Sequence, residues 1–430
     1  MSEHPYREKA KHIVIAGAGF GGVYVLKELH KFFHKSRSIS ITLLNRNNYF
    51  LFTPLLHEVA TGNIWPENIV EPLRELFPCC ITRLRLGRIE EVNLSENFLT
   101  TSCGKIQYDY LVLATGATTN FYDIPGASEY SFTLKSLEDA IDLKNHFIHS
   151  FERASYSIDK KELQKLLHFI VVGGGPTGVE LAAEMSDFFY KTFARFYGKD
   201  LIANVSITLV NKDRELLARF PHSLRMRSET LLRKKHIRIL SEKKVTKVEK
   251  GIAYISDGTE LSAGTIIWTA GVRPNLPSFN IKPEADSDGR LLVNENLELL
   301  SHPSVFALGD VASVGDGRGG VLPMFAQVAS KEAVFVAKNI ARRIEGKSLT
   351  PLSYTHRGDL VSLGDWMAAG EINGVPLWGH FTWFLWRTVY LSKLISWRKK
   401  IQVFVDWTIN AFASRDISEL YKSEKLKTHT

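Results

Sequence analysis

Short apolar runs alternate with amphipathic segments along most of the chain, which is typical of an α/β fold. The run HIVIA at residues 12–16 leads into a glycine-rich stretch, and apolar residues then recur at Val23, Leu26 and Leu29 with helical spacing. The same succession recurs from 168 to 189, as HFIVVGGGPTGVELAAEMSDFF. The pattern therefore predicts two strand, turn and helix units in one chain.

Further buried-type strands end in small residues or in a polar turn. YDYLVLATGA (108–117) ends at Thr115 and Gly116, GTIIWTAGVRP (264–274) turns at Gly271, and SVFALGDVA places Gly309 and Asp310 directly after a strand. After Pro323 the chain predicts a helix whose apolar positions are Val328, Ala329, Ala333, Val336 and Ile340.

The C-terminal pattern is different, because aromatic and basic residues gather between 378 and 412. On a helical wheel one stripe forms from Trp383, Trp386, Tyr390, Leu394 and Trp397. A second apolar set follows at Ile401, Phe404, Val405, Thr408 and Phe412. The uncharged stretch from Ile372 to Trp386 is too short to span a bilayer, which needs about 20 apolar residues. Two interpretations stay open: an in-plane membrane helix, or a stripe packed on the protein or in a dimer interface.

Composition narrows the class only slightly. The 430 residues are 44% hydrophobic and 23% charged, an ordinary globular balance, and the net charge of +8 suits an anionic partner.

The three cysteines, Cys79, Cys80 and Cys103, form neither a disulfide framework nor a metal-ligand spacing, so we expect a reducing compartment and no metal site. The charged segment before Ile13 leaves no room for a signal peptide. No helix-turn-helix or zinc pattern accompanies the basic residues, so no nucleic-acid partner is expected.

The two glycine turns carry the candidate chemistry. A tight turn, a close approach of the backbone to a pyrophosphate and a close helix–strand contact each exclude a side chain. The exposed amides at the start of the following helix attract phosphate. The first turn is GAGFGG, with candidate residues Gly17, Gly19, Phe20, Gly21 and Gly22, and the second has Gly173, Gly175 and Gly178. Two such turns imply two dinucleotides, and Asp310 is either a cofactor ligand or a helix N-cap.

The chain resembles the type II NADH dehydrogenases, the single-subunit, non-proton-pumping NADH:quinone oxidoreductases of the two-dinucleotide flavoprotein superfamily. The resemblance covers nearly the whole chain and rests on NRNNYFLFTPLLHEVATG (45–62), GGGPTGVELAAE (173–184), FALGDVA (306–312), AQVA (326–329) and the aromatic-basic tail. The first and last of these stretches are more specific than the glycine motifs, which the entire superfamily shares.

The resemblance implies that the first unit binds FAD, that the second binds NADH, and that a quinone takes the electrons. It places Thr53 and Pro54 near the flavin ring, and Glu180 near the nicotinamide. A plainer alternative is that Glu180 is a carboxylate near the helix N-terminus that interacts favourably with the helix dipole. Gln327, after Ala326, matches the family's AQxAxQ quinone motif, whereas Lys331 replaces its second glutamine. The remaining implied cofactor contacts are Thr115, Gly116, Gly271, Gly309 and Asp310.

The acidic residue expected after the second strand of each unit is missing, because Asn45 and Asn211 stand there. Asn45 and Arg46 are candidate contacts for the FAD adenosine. Asn211 beside Lys212 neither recognises the NADH ribose hydroxyl nor repels the phosphate of NADPH strongly. The substrate is therefore NADH or NADPH, with NADH favoured by the resemblance.

The fold class predicted is α/β, with two Rossmann-like domains and a C-terminal amphipathic helical module that anchors to a membrane. The expected domains are 1–120 and 276–345 for FAD, 121–275 for NAD(P)H, and 346–430 for membrane association. The expected location is the cytoplasmic face of the cell membrane, through residues 378–412 on an anionic surface. Homodimers are common in the family. Two alternatives remain: a soluble reductase of a protein electron carrier, and a weakly catalytic redox sensor.

Overall fold

The computed structural model of the chain describes residues 10–76, 81–317 and 319–419. Cys79, Cys80 and the charged N-terminal segment lie outside the described residues. Strands and helices alternate as the α/β class requires, which confirms that prediction.

The described residues form thirteen α-helices: α1 Phe20–Phe33, α2 Leu56–Ala60, α3 Leu73–Leu76, α4 Ala127–Tyr130, α5 Leu137–Tyr156, α6 Lys160–Leu166, α7 Pro176–Asp187, α8 Ala194–Tyr197, α9 Lys199–Ile202, α10 His222–Lys234, α11 Ala326–Ile344, α12 His380–Lys393 and α13 Trp397–Phe412. Short 3-10 helices lie at Thr53–Leu55, Pro66–Ile69 and Gly309–Val311, and a π-helical turn at Phe188–Phe193.

The strands of the described residues are β1 Lys11–Ala16, β2 Ile39–Asn45, β3 Tyr49–Leu51, β4 Val70–Pro72, β5 Thr82–Leu86, β6 Ile89–Asn93, β7 Phe98–Thr101, β8 Gly104–Gln107, β9 Tyr110–Leu113, β10 Ala117–Thr119, β11 Phe132–Thr133, β12 His168–Val172, β13 Ser206–Val210, β14 Ile237–Leu240, β15 Val245–Glu249, β16 Ile252–Ile255, β17 Glu260–Ser262, β18 Thr265–Trp268, β19 Val272–Pro274, β20 Ser278–Phe279, β21 Leu291–Leu292, β22 Glu298–Leu299, β23 His302–Ala307, β24 Ala312–Ser313, β25 Gly358–Ser362, β26 Ala368–Ile372 and β27 Val375–Gly379.

The chain divides into two compact units. Unit 1 comprises the described residues of Met1–Phe50, Glu71–Thr118 and Val272–Thr355. Its main sheet has the strand order β22-β23-β9-β1-β2-β5 and is parallel except for β22. The central strand β1 is apolar and fully buried from Ile13 to Ala16, as a strand covered on both faces must be. Helix α1 packs against α11 beside this sheet.

Unit 2 comprises the described residues of Leu51–Val70, Thr119–Gly271 and His356–Thr430. Its main sheet is wholly parallel, in the order β11-β18-β12-β13-β14. On one side of it an aromatic core joins α5 to the π-helical turn after α7, through Phe147, Phe151, Phe169, Phe189 and Phe193. In both units, therefore, a glycine turn follows a central strand of a parallel sheet, which is where such sheets bind ligands.

The C-terminal part of unit 2 departs from the sequence prediction in two ways. It begins with an antiparallel sheet, β25-β26-β27, which the pattern of apolar residues did not reveal. The predicted single stripe is also divided, because the helix ends at Lys393 and a new one starts at Trp397.

The prediction that this tryptophan stripe faces a membrane is wrong for Trp383, Trp386 and Leu394, whereas Trp397, the last residue of the stripe, is 75% exposed. Trp383, Trp386 and Leu394 are at most 4% exposed, since they pack on the protein itself. The exposed apolar side chains of α12 and α13, which we call the apolar face, are Phe381, Phe384, Trp397, Ile401, Phe404, Val405, Ile409 and Phe412. Most of those on α13 belong to the second apolar set that the sequence predicts. Within the described ranges no helix combines the length and hydropathy needed to cross a bilayer.

Candidate functional site

The first glycine turn of unit 1 is a backbone cradle. Gly17 has φ of +102°, and a Cβ on Gly22 would lie 1.8 Å from the Gly17 carbonyl oxygen, so both positions require glycine. A Cβ on Gly19 would meet nothing within 4 Å. Gly19 is the N-cap of α1 and provides no side-chain cap, which leaves the amides of the first turn, from Phe20 and Gly21 on, available to an anion.

Asn45, at the end of β2, organises the turn beside this cradle. Its Oδ1 accepts a hydrogen bond from the Ala18 amide at 3.0 Å, and its Nδ2 donates to the Asn47 carbonyl oxygen at 2.8 Å. The neighbouring Arg46 is exposed. Asn45 therefore fixes the backbone of two loops at once, and one lone pair of its oxygen is already engaged.

The other unit 1 candidates lie on loops at the carboxyl ends of β9 and β23. Thr115 donates its hydroxyl to the Asn275 carbonyl oxygen at 2.6 Å, and Gly116 has φ of +69°. Gly309, also at +69°, donates its amide to the buried carboxylate of Glu332 at 2.6 Å. The pKa of Glu332 is raised to about 7, mainly by burial and also by nearby Asp310, while the hydrogen bond from Gly309 lowers it. Glu332 of α11, which the sequence analysis did not single out, thus holds the loop that carries the candidate residue Asp310.

Helix α11 starts within the AQVA motif. Its N-cap Phe325 provides no side-chain cap, and its first turn contains no acidic residue. Ala326 and Gln327 occupy that first turn, half-buried, whereas Lys331 lies in the second turn and is exposed. The five predicted apolar positions of this helix, from Val328 to Ile340, are all buried, which confirms the predicted helix face.

The second glycine turn, in unit 2, repeats the construction of the first. Gly173 has φ of +118°, a Cβ on Gly178 would lie 2.0 Å from the Gly173 carbonyl oxygen, and Gly175 has open space around it. Helix α7 starts at Pro176 without a side-chain cap. The turn from Gly173 to Thr177 lines a cavity of about 570 Å³, together with Gly271, Asn211 and three lysines. The volume is in the range of small-molecule and cofactor sites.

Glu180 lies on α7, two residues after Gly178, and is 8% exposed. Its Oε1 accepts the Ser362 amide at 3.0 Å, and its Oε2 lies 3.9 Å from Nδ1 of His57. Burial raises the pKa of Glu180 to about 8. Burial lowers the pKa of His57 to about 3, so the imidazole is neutral and cannot offset a negative Glu180. Glu180 therefore carries a proton at neutral pH. The plainer role of an ionised carboxylate that interacts with the helix dipole does not describe it.

The segment before His57 contains the other two candidates of this unit. Thr53 and Pro54 form the start of a short 3-10 helix that leads into α2, which carries His57 and Glu58. Both of these α2 side chains are at most 3% exposed. His57 contacts Trp386 of α12 edge-on, with ring centroids 6.1 Å apart.

Further acids and bases surround Glu180 in a buried group that the sequence analysis missed. The carboxylates are Glu58, Glu180, Glu184, Asp187 and Asp365, and the cations are Lys191, Lys235, Arg387 and Arg415. We call this set the buried ionic cluster. Arg415 is its centre, 2.8 Å from Glu184 and 3.0 Å from Asp365. Only the spacing of Glu180 and Glu184, one helical turn apart, signalled the cluster in the sequence.

The charges within the cluster do not balance if every carboxyl is ionised, because five acids face four cations. Burial raises the pKa of Glu180 to about 8 and that of Glu184 to about 7. One proton held on this pair at neutral pH makes the cluster neutral, which removes the cost of an unpaired buried charge. Glu184, Asp187 and Asp365 have oxygens within 4.8 Å of one another, and Arg415, Lys191 and Lys235 supply the positive charge they need.

Comparison with known proteins agrees with this geometry. Residues 11–333 match the family model for pyridine nucleotide-disulphide oxidoreductases, and residues 356–416 match the model for the NDH2 C-terminal domain. A probable NADH dehydrogenase of Dictyostelium discoideum is 30% identical over 416 residues, covering 94% of this chain and 90% of the relative. The type II NADH:quinone oxidoreductase Ndh of Mycobacterium tuberculosis is 29% identical, covering 94% of this chain and 88% of its own.

Among solved structures, NDH2 of Plasmodium falciparum in complex with NADH has a TM-score of 0.88. It is 23% identical, and the match covers 95% of this chain and 99% of that one, so the fold is shared throughout. The C-terminal sheet and helices lie within residues 356–416, which match the NDH2 C-terminal domain model. The chain therefore belongs to the pyridine nucleotide-disulphide oxidoreductase family and, within it, to the type II NADH:quinone oxidoreductases.

Proposed function

We propose that this protein is an FAD-dependent NADH:quinone oxidoreductase that acts on a membrane surface without pumping protons. The observation that carries the proposal is the presence of two similar glycine cradles, each at the carboxyl end of a central parallel strand and each followed by a helix with an uncapped N-terminus. Such cradles fit the pyrophosphate of a dinucleotide. The relatives with matching length are named as NADH dehydrogenases or quinone oxidoreductases.

The residues of unit 1 fit FAD. Gly17 and Gly22 allow the tight turn, Gly19 leaves open space for the pyrophosphate, and the half-buried Asp310 is placed to accept hydrogen bonds from a ribityl chain. When bound, FAD supplies the hydride-accepting and electron-transferring chemistry. The role of the protein is to orient the cofactor and adjust its electrostatics. The uncapped N-terminus of α11, with Ala326 and Gln327, is suited to stabilise negative charge.

The residues of unit 2 hold the nucleotide substrate. The cavity around Gly173, Gly175 and Gly178 takes the dinucleotide, and Glu180 follows this turn on the buried side of α7. With a pKa of about 8, Glu180 carries a proton at neutral pH that it can give up when charge changes nearby. Reduction of a quinone by NADH consumes one proton from solution. We assign Glu180 as the candidate group that exchanges it, Gln327 and Lys331 as candidate contacts for the quinone, and Thr53 and Pro54 as candidate contacts for the flavin ring.

The apolar face supports docking on a lipid surface. On α13, Trp397, Ile401, Phe404, Val405 and Phe412 share one side of the helix and are between 43% and 88% exposed. The opposite side carries the buried Val403, Asp406 and Trp407. A contiguous exposed apolar patch of this kind is characteristic of membrane or protein contact sites. The face is uncharged itself, and α12 ends and α13 begins with basic residues, Lys393 and Arg398 to Lys400.

This arrangement favours an in-plane helix on an anionic leaflet, and we place it on the cytoplasmic face of the cell membrane. A membrane acceptor explains the apolar face better than a soluble electron carrier does, because a soluble partner needs no such extended hydrophobic surface. The homodimer that the family resemblance implies stays a prediction, to be checked by light scattering in detergent and after its removal.

The test is a steady-state assay of the FAD-loaded protein on anionic vesicles with NADH and a short-chain quinone. Quinone-dependent loss of NADH absorbance is the expected result, and Gly178→Ala should abolish it because the new methyl group would clash with the Gly173 carbonyl. If NADH decolourises the flavin but quinone does not restore it, the acceptor assignment is wrong. If NADH binds and no turnover follows with any acceptor, the chain is a sensor and the proposal fails.

A further inference from the structure

The loop after β13 is built around a hydrogen-bond donor at position 211. The side chain of Asn211 is 4% exposed, and its Nδ2 donates to the carbonyl oxygens of Asp213 at 2.9 Å and of Glu215 at 3.0 Å. The main-chain carbonyl oxygen of Asn211 accepts a hydrogen bond from the Lys243 amide at 3.0 Å. Asn211 thus fixes two loops that border the nucleotide cavity, one through its side chain and the other through its main chain.

A carboxylate cannot replace this amide without rebuilding the loop. The carbonyl oxygens of Asp213 and Glu215 would then both face the carboxylate oxygen that replaces Nδ2, in a buried position with no proton between them, which costs the desolvation penalty of those groups. An acid at this position is what selects NADH in Rossmann domains, because it accepts from the ribose 2′-hydroxyl and repels a 2′-phosphate. Because the structure of this loop excludes an acid, position 211 neither accepts from the ribose 2′-hydroxyl through a carboxylate nor repels a 2′-phosphate.

Cations border the same cavity. Lys212 and Lys244 line it, are exposed, and form no ion pair within residues 10–76, 81–317 and 319–419. The third lining lysine, Lys243, is held by Asp257 at 2.8 Å. Of the lining acids, Glu215 is paired with Arg225 at 2.5 Å. Asp213 remains, so two uncompensated cations face one uncompensated carboxylate.

We propose that this cavity accepts a nicotinamide nucleotide bearing a 2′-phosphate, so that the enzyme uses NADPH as well as NADH. Lys212 and Lys244 contact the phosphate from the loops after β13 and β14, and Asn211 leaves the space beside them free of negative charge. The inference rests on the proposed function only in that a nicotinamide nucleotide is the substrate; it adds which nucleotides are admitted and by which residues.

Binding can be measured apart from turnover, with 2′,5′-ADP and 5′-ADP as probes in calorimetry on the FAD-loaded protein. We expect 2′,5′-ADP to bind more tightly, and Lys212→Gln and Lys244→Gln each to weaken it about tenfold while 5′-ADP changes less than about twofold. In steady-state assays the same variants should lower kcat/KM for NADPH more than kcat/KM for NADH, so that the ratio of the two values falls about tenfold. Arg214→Gln is the matched control, because it removes the same charge from the same loop but does not line the cavity.

A second variant tests the loop itself. Asn211→Asp should lower the unfolding midpoint at neutral pH, whereas Asn211→Ser should be milder because its hydroxyl can still donate to one carbonyl. Unchanged stability of Asn211→Asp would overturn the claim that the loop excludes an acid.

The inference and the proposed function fail in different ways. If 2′,5′-ADP binds no more tightly than 5′-ADP while NADH still supports quinone reduction, the inference is overturned and the function stands. If 2′,5′-ADP is preferred through Lys212 and Lys244 but neither nucleotide decolourises the flavin, the inference stands and the function is overturned. If Arg214→Gln and Lys244→Gln weaken 2′,5′-ADP binding equally, the preference arises from long-range charge and not from contact with the phosphate. That result would also overturn the inference.

Discussion

The indole nitrogen of Trp407 donates a hydrogen bond to the buried carboxylate of Glu58, which joins α13 to α2 across 349 residues of chain. Other hydrogen bonds follow the same path. Asp406 accepts from the Trp65 amide at 3.1 Å and from Asn68 at 2.6 Å. The buried side of α13 is therefore fixed to the 58–68 segment, while its opposite side presents the apolar face.

Removing the indole donor should destabilise unit 2. Trp407→Phe keeps an aromatic ring but leaves the Glu58 carboxylate buried without that donor, which costs about 1 to 3 kcal/mol of unfolding free energy. Urea unfolding measures it. The matched control is Trp397→Phe on the same helix, where the side chain is 75% exposed and little change is expected. Equal effects of the two substitutions would show that the hydrogen bond to Glu58 contributes nothing.

Paired glycine substitutions separate folding from ligand binding. Gly22→Ala and Gly178→Ala should destabilise the protein without ligands, because each new Cβ would lie within 2.0 Å of a carbonyl oxygen. Gly19→Ala and Gly175→Ala meet no protein atom, so the apoprotein should unfold nearly as wild type does. These two variants should instead weaken FAD and NADH respectively, by about tenfold or more, because the methyl group enters the space where the backbone approaches a pyrophosphate. Fluorescence titrations check this, and normal affinity in both would show that the cradles do not bind dinucleotides.

The raised pKa of Glu180 makes stability depend on pH. A carboxyl with an ordinary pKa of 4.5 in the unfolded chain is raised to about 8 by burial in the folded protein, so the folded state holds its proton more tightly. The stabilisation is fully present below pH 4.5 and is lost as the pH rises through 8. Glu180→Gln should therefore gain about 2 to 4 kcal/mol relative to wild type between pH 5 and pH 9. Unfolding curves at several pH values test this, and parallel profiles for the two proteins would contradict the burial of an uncompensated carboxyl.

Arg415 should be among the most sensitive positions of the chain. Arg415→Met leaves Glu184 and Asp365 without their shared cation, and breaking a buried ion pair by removing one partner costs about 3 to 5 kcal/mol. Exposed Arg398→Met is the control for loss of charge and should be nearly neutral. Chemical unfolding and limited proteolysis of the C-terminal segment report the difference. A stable Arg415→Met variant would mean that the cluster is neutralised in another way.

Membrane binding should depend on the apolar face and not on the buried tryptophans. Phe404→Ser with Phe412→Ser removes two exposed rings, each worth about 1.5 to 3 kcal/mol when buried, and should lower partitioning onto anionic vesicles at least about tenfold. Phe32→Ser is the control, because Phe32 is an exposed phenylalanine of unit 1, 49% accessible against 57% for Phe404. Flotation assays measure the bound fraction. Binding that survives the double substitution would place the docking surface elsewhere.

The sequence by itself determined the features set by local backbone geometry. Both strand, turn and helix units and the face of α11 follow from glycine positions and apolar spacing, and the structure confirms them. The spacing of apolar residues and the positions of small residues are local properties, so they can be recognised in a single sequence. The two asparagines that replace the expected acids were also visible, although their use as loop donors was not.

Only the tertiary structure decided which apolar and charged side chains meet. Trp383 and Trp386 looked like membrane residues because helical spacing does not show what covers a stripe, and here the protein itself covers them. The buried ionic cluster brings Glu58, Glu184, Asp365 and Arg415 together from four distant stretches of the chain. No local sequence pattern predicts that these residues lie close in space. Burial then raises the pKa of Glu180 and lowers that of His57, because a pKa depends on the surroundings that folding creates and not on the residue type alone.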